Sequence, residues 1–164
     1  MINRNSGFPP TTILTMPKHV VVQADLLPQG VELVELPTHV DERGELVVAE
    51  NSNLPFEPRR VFWITHVPTI AERGGHAHRT CAEVLYALAG KVKIDLSDGN
   101  RETTVELSQA NTGVIIPSMV WCRLYDFSSD FVGLCFASEP YQAEGYLREW
   151  DDFLKEVNTT KHKV

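Results

Sequence analysis

Apolar residues along this chain recur mostly at every second position, in short runs broken by turn residues, and only one stretch near the C-terminus follows a helical period. Strict alternation sends successive side chains to opposite faces, so each run predicts a half-buried β-strand. Val31–Leu36 is the first, followed by Glu45–Glu50 after the turn Asp41-Glu42-Arg43-Gly44. Arg60–Val67 alternates and is rich in β-branched and aromatic residues. Ala82–Leu88 and Lys91–Leu96 are parted by Ala89-Gly90, a tight-hairpin signal. Asp98-Gly99-Asn100 turns the chain into Glu102–Leu107, and Gly113–Ile116, Val120–Tyr125 and Phe131–Ala137 complete the series. Tyr146–Val157 is the helical exception, with Tyr146, Trp150, Phe153, Leu154 and Val157 on one apolar stripe. Many short strands with even turn punctuation, followed by a single short C-terminal helix, predict an all-β fold: a small antiparallel barrel or sandwich of jelly-roll type.

A chain of 164 residues has the length of one domain. Residues 1–18 contain Gly7, Pro9, Pro10 and Pro17 without periodicity and are expected to be a flexible leader. The folded domain is expected over residues 19–158, with a polar, frayed tail at 159–164. No apolar run approaches the roughly 20 residues needed to cross a bilayer, and the first residues lack the apolar stretch of a signal peptide, so no membrane partner is expected. Cys81, Cys122 and Cys135 are an odd set without framework spacing, which suits a reducing compartment; the expected location is the cytoplasm. The formal charge of −7 argues against nucleic acid as a partner. It leaves room for a small phosphorylated ligand held by a few arginines, for which Arg43, Arg59, Arg60, Arg73, Arg79, Arg123 and Arg148 are available.

The segment Arg73-Gly74-Gly75-His76-Ala77-His78-Arg79 concentrates the chemistry. Two histidines two residues apart share one face of an extended strand. Imidazole both exchanges protons near neutral pH and binds metals, so the pair is compatible with proton transfer or with an ion. After His78 come four residues, Glu83, six more residues and Gly90. His-x-His, Glu and Gly at this spacing resemble the latter part of the first cupin motif, although Ile70 stands where that motif has its upstream glycine. Pro117-Ser118-Met119-Val120-Trp121-Cys122 resembles the second motif, with Met119 for its glycine and Cys122 for its histidine. The resemblance spans about residues 40–137 and implies a cupin-type jelly-roll barrel. By the same resemblance, a metal would be held by His76, His78, Glu83 and Cys122. Thiolate, imidazole and carboxylate are competent ligands for zinc or iron, whereas a buried free cysteine between Val120 and Leu124 also reads as a small apolar side chain.

Further motifs narrow the family. Asp41-x-Arg43-Gly44, Pro55-Phe56, Arg60-Val61, the Arg73–His78 segment, Trp121, Asp126-Phe127-Ser128, Ala137-Ser138-Glu139-x-Tyr141 and Tyr146-x-Arg148 occur in an order similar to that of the WxcM-like nucleotide-sugar 3,4-ketoisomerases. That resemblance covers about residues 38–155. It implies a homodimeric isomerase, with no cofactor and no metal, that moves the carbonyl of dTDP-4-keto-6-deoxyglucose from C4 to C3. The reaction needs a base for the C3 proton, an acid, and donors to the intervening enediolate. His78 is expected to be the principal base, with His76 relaying a proton or holding the sugar oxygens and Arg73 anchoring an anionic group. Arg43 and Arg60 are expected on the diphosphate, and Trp63, Tyr86, Trp121 and Tyr125 against base or sugar. Many relatives carry tyrosines after the Arg-Val pair where this chain has Phe62 and Trp63, which leaves the acid unassigned and makes Tyr86 a candidate substitute. The edge strands near residues 19–36 are expected to exchange between protomers.

Overall fold

Strand alternation is realised along most of the chain in the computed structural model, which describes residues 27–161. Its strands are β1 (Glu32–Glu35), β2 (Thr38–Asp41), β3 (Gly44–Val47), β4 (Arg60–Thr65), β5 (Arg73–His78), β6 (Glu83–Ala89), β7 (Val92–Ser97), β8 (Glu102–Leu107), β9 (Thr112–Ile116), β10 (Trp121–Tyr125), β11 (Val132–Ala137) and β12 (Tyr146–Leu147). Among the described residues one α-helix, α1 (Trp150–Lys161), follows. Two five-stranded antiparallel sheets face each other, one ordered β1-β9-β6-β11-β4 and the other β12-β5-β10-β7-β8. The β2–β3 hairpin stands as its own small sheet. This is the expected all-β jelly roll with one C-terminal helix.

Parity along each strand decides what fills the space between the sheets. Leu85 and Ala87 of β6, Val92, Ile94 and Leu96 of β7, Val114 and Ile116 of β9, and Cys122 and Leu124 of β10 point inward and are buried together. Each large apolar side chain so buried contributes on the order of 1.5–3 kcal/mol. The opposite parity is also covered. Outside the first sheet, Val84 and Tyr86 pack with Leu36 under Val47, Leu54 and Phe56. Outside the second sheet, Ala77 and Leu147 pack with Phe153 and Val157 of α1, with Trp121 and Trp150 alongside.

Two departures from the sequence pattern bear on the site. The helical stripe does not begin at Tyr146: Tyr146 and Leu147 form β12, opposite His78 and Ala77 of β5, and α1 starts at Trp150. Backbone pairing to β5 outweighs the local helical period here, and it sends Tyr146 to the inner side while Leu147 joins the apolar layer under the helix. Asp151 and Asp152 in the first turn suit the positive end of the helix dipole. At the other end α1 runs to Lys161, with the Thr159 hydroxyl donating to the Lys155 carbonyl at 2.8 Å. The expected leader at residues 1–18 lies outside the described residues.

Candidate active site

The glycine pair ahead of the histidines shapes the site. Gly74 and Gly75 both have left-handed backbone, at φ 76° and 66°. Across the β5–β10 ladder His76 faces Cys122, Gly74 faces Arg123 and Arg73 faces Leu124, so Gly75 is the extra residue of a bulge. In a regular strand Arg73 and His76, three positions apart, would lie on opposite faces. The bulge restores Arg73 to the side of Leu124 and Cys122, both of which point inward. A side chain at Gly74 would put Cβ 2.7 Å from the Cys122 carbonyl oxygen, so glycine is required by both conformation and space.

Arg73, Gly74 and His76 thereby line an inter-sheet cavity of about 200 Å³, with Glu83, Cys122, Cys135 and Tyr146 and apolar walls from Phe62, Ile64, Leu85, Ile116 and Leu124. His78 lies one step deeper and is only 6 % exposed. The two imidazole rings meet edge to face at 5.1 Å between centroids. The Tyr146 ring lies over both, 4.9 Å from His76 and 4.3 Å from His78. Tyr146 is itself held between the Arg148 guanidinium at 4.5 Å and the Tyr141 ring at 5.5 Å.

Glu83 supplies the negative charge of this cluster. Its Oε1 accepts from Arg60 Nη2 at 3.1 Å and lies 3.3 Å from His78 Nε2, a close contact without the alignment of a hydrogen bond that becomes an ion pair when the ring is protonated. A buried carboxylate needs such partners to remain charged. Burial pushes Glu83 upward, but the His78 contact, followed by the charges of His76 and Arg60, outweighs it and holds the carboxyl below its ordinary value. Burial lowers His76, with the Gly74 backbone and Glu83 acting in the opposite direction, which favours the uncharged ring. His76 Nδ1 and His78 Nε2 are both buried without a hydrogen-bond partner. Of the two, His76 lines the cavity, where a ligand could complete its bonding, whereas His78 Nε2 faces Glu83.

Of the metal set expected from the cupin resemblance, His76, Glu83 and Cys122 line this cavity, and His78 does not. Burial, with Glu83 adding to it, pushes the Cys122 thiol up to about 12, so it stands as a neutral thiol rather than a thiolate. The Arg60 guanidinium occupies a cation's position on Glu83. No three or more His, Cys, Asp and Glu side chains converge as a metal-binding group among the described residues.

The other predicted contacts are distributed by strand parity. Arg60 reaches the cluster through Glu83. Arg43 sits in the β2–β3 turn, its guanidinium paired with Asp41 and 74 % exposed, and does not line the cavity. Trp63 also lines the cavity, although on β4 the partly buried positions are Arg60, Phe62 and Ile64 and Trp63 is 70 % exposed. Tyr86 is on the wrong face for the role proposed for it, fully buried in the layer outside the first sheet, where burial pushes its phenol up to about 12. Trp121 and Tyr125 alternate with inward Cys122 and Leu124, so they lie outside the second sheet, Trp121 against Trp150 and Phe153 and Tyr125 under Arg123. From the sequence Glu83 is expected only as a metal ligand, and Tyr146 only as a member of the helical stripe and of the Tyr146-x-Arg148 motif, with no role at the site.

Comparison with known proteins is consistent with this geometry. The family "FdtA: WxcM-like, C-terminal" matches residues 29–158. A TDP-4-oxo-6-deoxy-alpha-D-glucose-3,4-oxoisomerase from Aneurinibacillus thermoaerophilus is 37 % identical over 119 residues, 72 % of this chain and 86 % of that protein. Among solved structures, the sugar 3,4-ketoisomerase QdtA from Thermoanaerobacterium thermosaccharolyticum, in complex with TDP, superposes with a TM-score of 0.79 at 32 % identity, over 82 % of this chain and 98 % of that one. The TDP-quinovose 3,4-ketoisomerase WlaRB from Campylobacter jejuni superposes with a TM-score of 0.75, also at 32 % identity, over 77 % and 98 %. With its jelly-roll frame, His76 on the wall of an inter-sheet cavity with His78 beside it, and the family match over residues 29–158, the chain belongs to the FdtA, WxcM-like family.

Proposed function

We propose that this protein is a sugar-nucleotide 3,4-ketoisomerase, converting a dTDP-linked 4-keto-6-deoxyhexose to its 3-keto isomer through an enediolate. The observation that carries this reading is the His78–Glu83 pair beside a second histidine at the wall of an apolar cavity. The cavity of about 200 Å³ is smaller than sites for drug-sized ligands, usually about 300–1,000 Å³. It suits the reacting ring, with the nucleotide left at the mouth.

In this account His78 removes the C3 proton, and the Glu83 carboxylate at 3.3 Å faces the positive charge that forms on its ring. Electrons of the C3–H bond become the C3–C4 double bond, and O4 takes up the carbonyl pair. Protonation at C4 and loss of the O3 proton then place the ketone at C3. His76, whose burial favours the uncharged ring, is suited to hydrogen bonding with the sugar oxygens and to relaying a proton. Arg73 at the cavity wall supplies a cation for the diphosphate or for the enediolate. No redox cofactor is required, because oxidation at C3 and reduction at C4 balance within one molecule.

The product fits a reaction sequence in which an aminotransferase acts next, supplying a deoxyaminosugar for surface polysaccharide such as lipopolysaccharide O-antigen. Three buried free cysteines suit the reducing cytoplasm as its location. A homodimer is the assembly we assign. Strand β4 lies at a sheet edge and exposes Val61 and Trp63, and covering such an edge is a common reason for subunit pairing. Sedimentation at twice the mass of one chain is the expected result.

Incubation with dTDP-4-keto-6-deoxyglucose, followed by NMR of the sugar, tests the reaction itself. The expected product carries its carbonyl carbon at C3. Recovery of unchanged 4-keto sugar would remove the substrate and the reaction together.

A further inference from the structure

The acid that protonates the sugar oxygen is missing from the assignment above. Phe62 and Trp63 line the cavity without a hydroxyl, and Tyr86 is sealed on the far side of the first sheet. One other phenol borders the cavity. Tyr146 belongs to β12, whose pairing sets it directly opposite His78 and on the same face. Its ring is the only aromatic side chain, among the described ring contacts, that touches both histidines, at 4.9 and 4.3 Å. Its hydroxyl end lies beside the Arg60 guanidinium, which also holds Glu83, and Glu83 in turn contacts His78. Tyr146, Arg60, Glu83 and His78 therefore close a ring of four groups around the base.

We propose that Tyr146 is a catalytic residue of this isomerase, its phenol donating a proton to O4 of the 4-keto sugar as the enediolate forms and recovering one from O3 as the 3-ketone forms. The inference rests on the ketoisomerase reading. Protons balance: the phenol proton moves to O4, the O3 proton returns to the phenolate, and the histidines carry the carbon-bound proton. Electrons balance as well, since the O3–H pair becomes the C3 carbonyl while the C3–C4 double bond takes up the proton at C4. Burial raises the Tyr146 phenol and the neighbouring Arg60 cation works in the opposite direction, so the transient phenolate forms next to a compensating charge. Tyr146 needs no loop closure to reach the histidines, because backbone pairing with β5 and the flanking Arg148 and Tyr141 already fix its ring.

The test is Tyr146→Phe, which keeps the ring over both imidazoles and removes only the O–H. Wild type and variant are compared for turnover of dTDP-4-keto-6-deoxyglucose, for KM, for TDP binding and for thermal midpoint. Expected is a fall in kcat of about 100-fold or more, the usual scale for losing a general acid, with KM, TDP binding and thermal midpoint nearly unchanged. The alkaline limb of the wild-type pH profile is also expected to change in the variant. Turnover within about threefold of wild type would overturn the role of Tyr146 while leaving the ketoisomerase reading intact. A loss of TDP binding equal to the loss of turnover would overturn it in favour of a binding contact. An inactive wild type would instead overturn the ketoisomerase reading, and this inference with it.

Discussion

His76 and His78 differ by two residues in sequence and by their neighbours in space. His78 touches Glu83, whereas His76 opens onto the cavity and is lowered by burial. The contrast has consequences for stability. A histidine whose folded value lies below its unfolded one takes up a proton more readily when unfolded, so the fold loses stability as pH falls below the ordinary value of 6.5, until the lowered folded value is passed. The thermal midpoint is expected to drop as pH is taken from 7 to below 6.5, and His76→Asn is expected to show a shallower drop; equal slopes would contradict the assigned environment. Cys122 permits a second check. With its thiol pushed up to about 12 and Arg60 already on Glu83, prolonged dialysis against EDTA is expected to leave turnover unchanged. Activity lost to the chelator and restored by zinc or iron would count against the neutral-thiol description.

Bulge and parity decide the site at the scale of elements. The left-handed Gly74 and Gly75 cost an L-residue roughly 1–2 kcal/mol each, but only a Cβ at Gly74 meets a backbone atom, the Cys122 carbonyl at 2.7 Å, while one at Gly75 meets nothing within 4 Å. Gly74→Ala is therefore expected to destabilise more than Gly75→Ala in urea unfolding and to lower turnover further, since it disturbs the ladder that holds His76 against Cys122. Equal effects would place no special demand on Gly74. The same elements show what the sequence makes legible. Alternation identifies most strands within a residue or two, because each buries one face, and the same alternation marks Cys122 and Leu124 as inward. Trp121 and Tyr125 share the opposite parity, so their placement outside the barrel follows from a pattern already present. Tyr146 is different in kind. Its apolar spacing with Trp150 and Phe153 fits a helix, and only pairing with β5, some 68 residues earlier, makes it a strand residue facing the histidines. Likewise, a bulge cannot be read from alternation, and without it Arg73 falls on the wrong face.

At the scale of the whole molecule, a chain with a net charge of −7 must attract a dianionic ligand through local cations rather than through its overall field. Ligand that binds only the folded state stabilises it by about 2.7 kcal/mol at a hundred times Kd. TDP at that excess is expected to raise the thermal midpoint by roughly 5–10 °C, and Arg73→Ala to reduce the rise; thymidine without its diphosphate is expected to give much less. An equal shift from TDP and thymidine would place the diphosphate away from the site's arginines. In the proposed function the two five-stranded sheets hold an imidazole pair that moves a proton from C3 to C4 of the sugar beside the inter-sheet cavity. Deuterium exchange into dTDP-4-keto-6-deoxyglucose in heavy water, read by NMR for the wild type beside His78→Asn, tests it most directly. Expected are loss of the C3 proton signal together with isomerisation in the wild type, and both slowed by about 100-fold or more in the variant. Exchange at the wild-type rate in His78→Asn would contradict it.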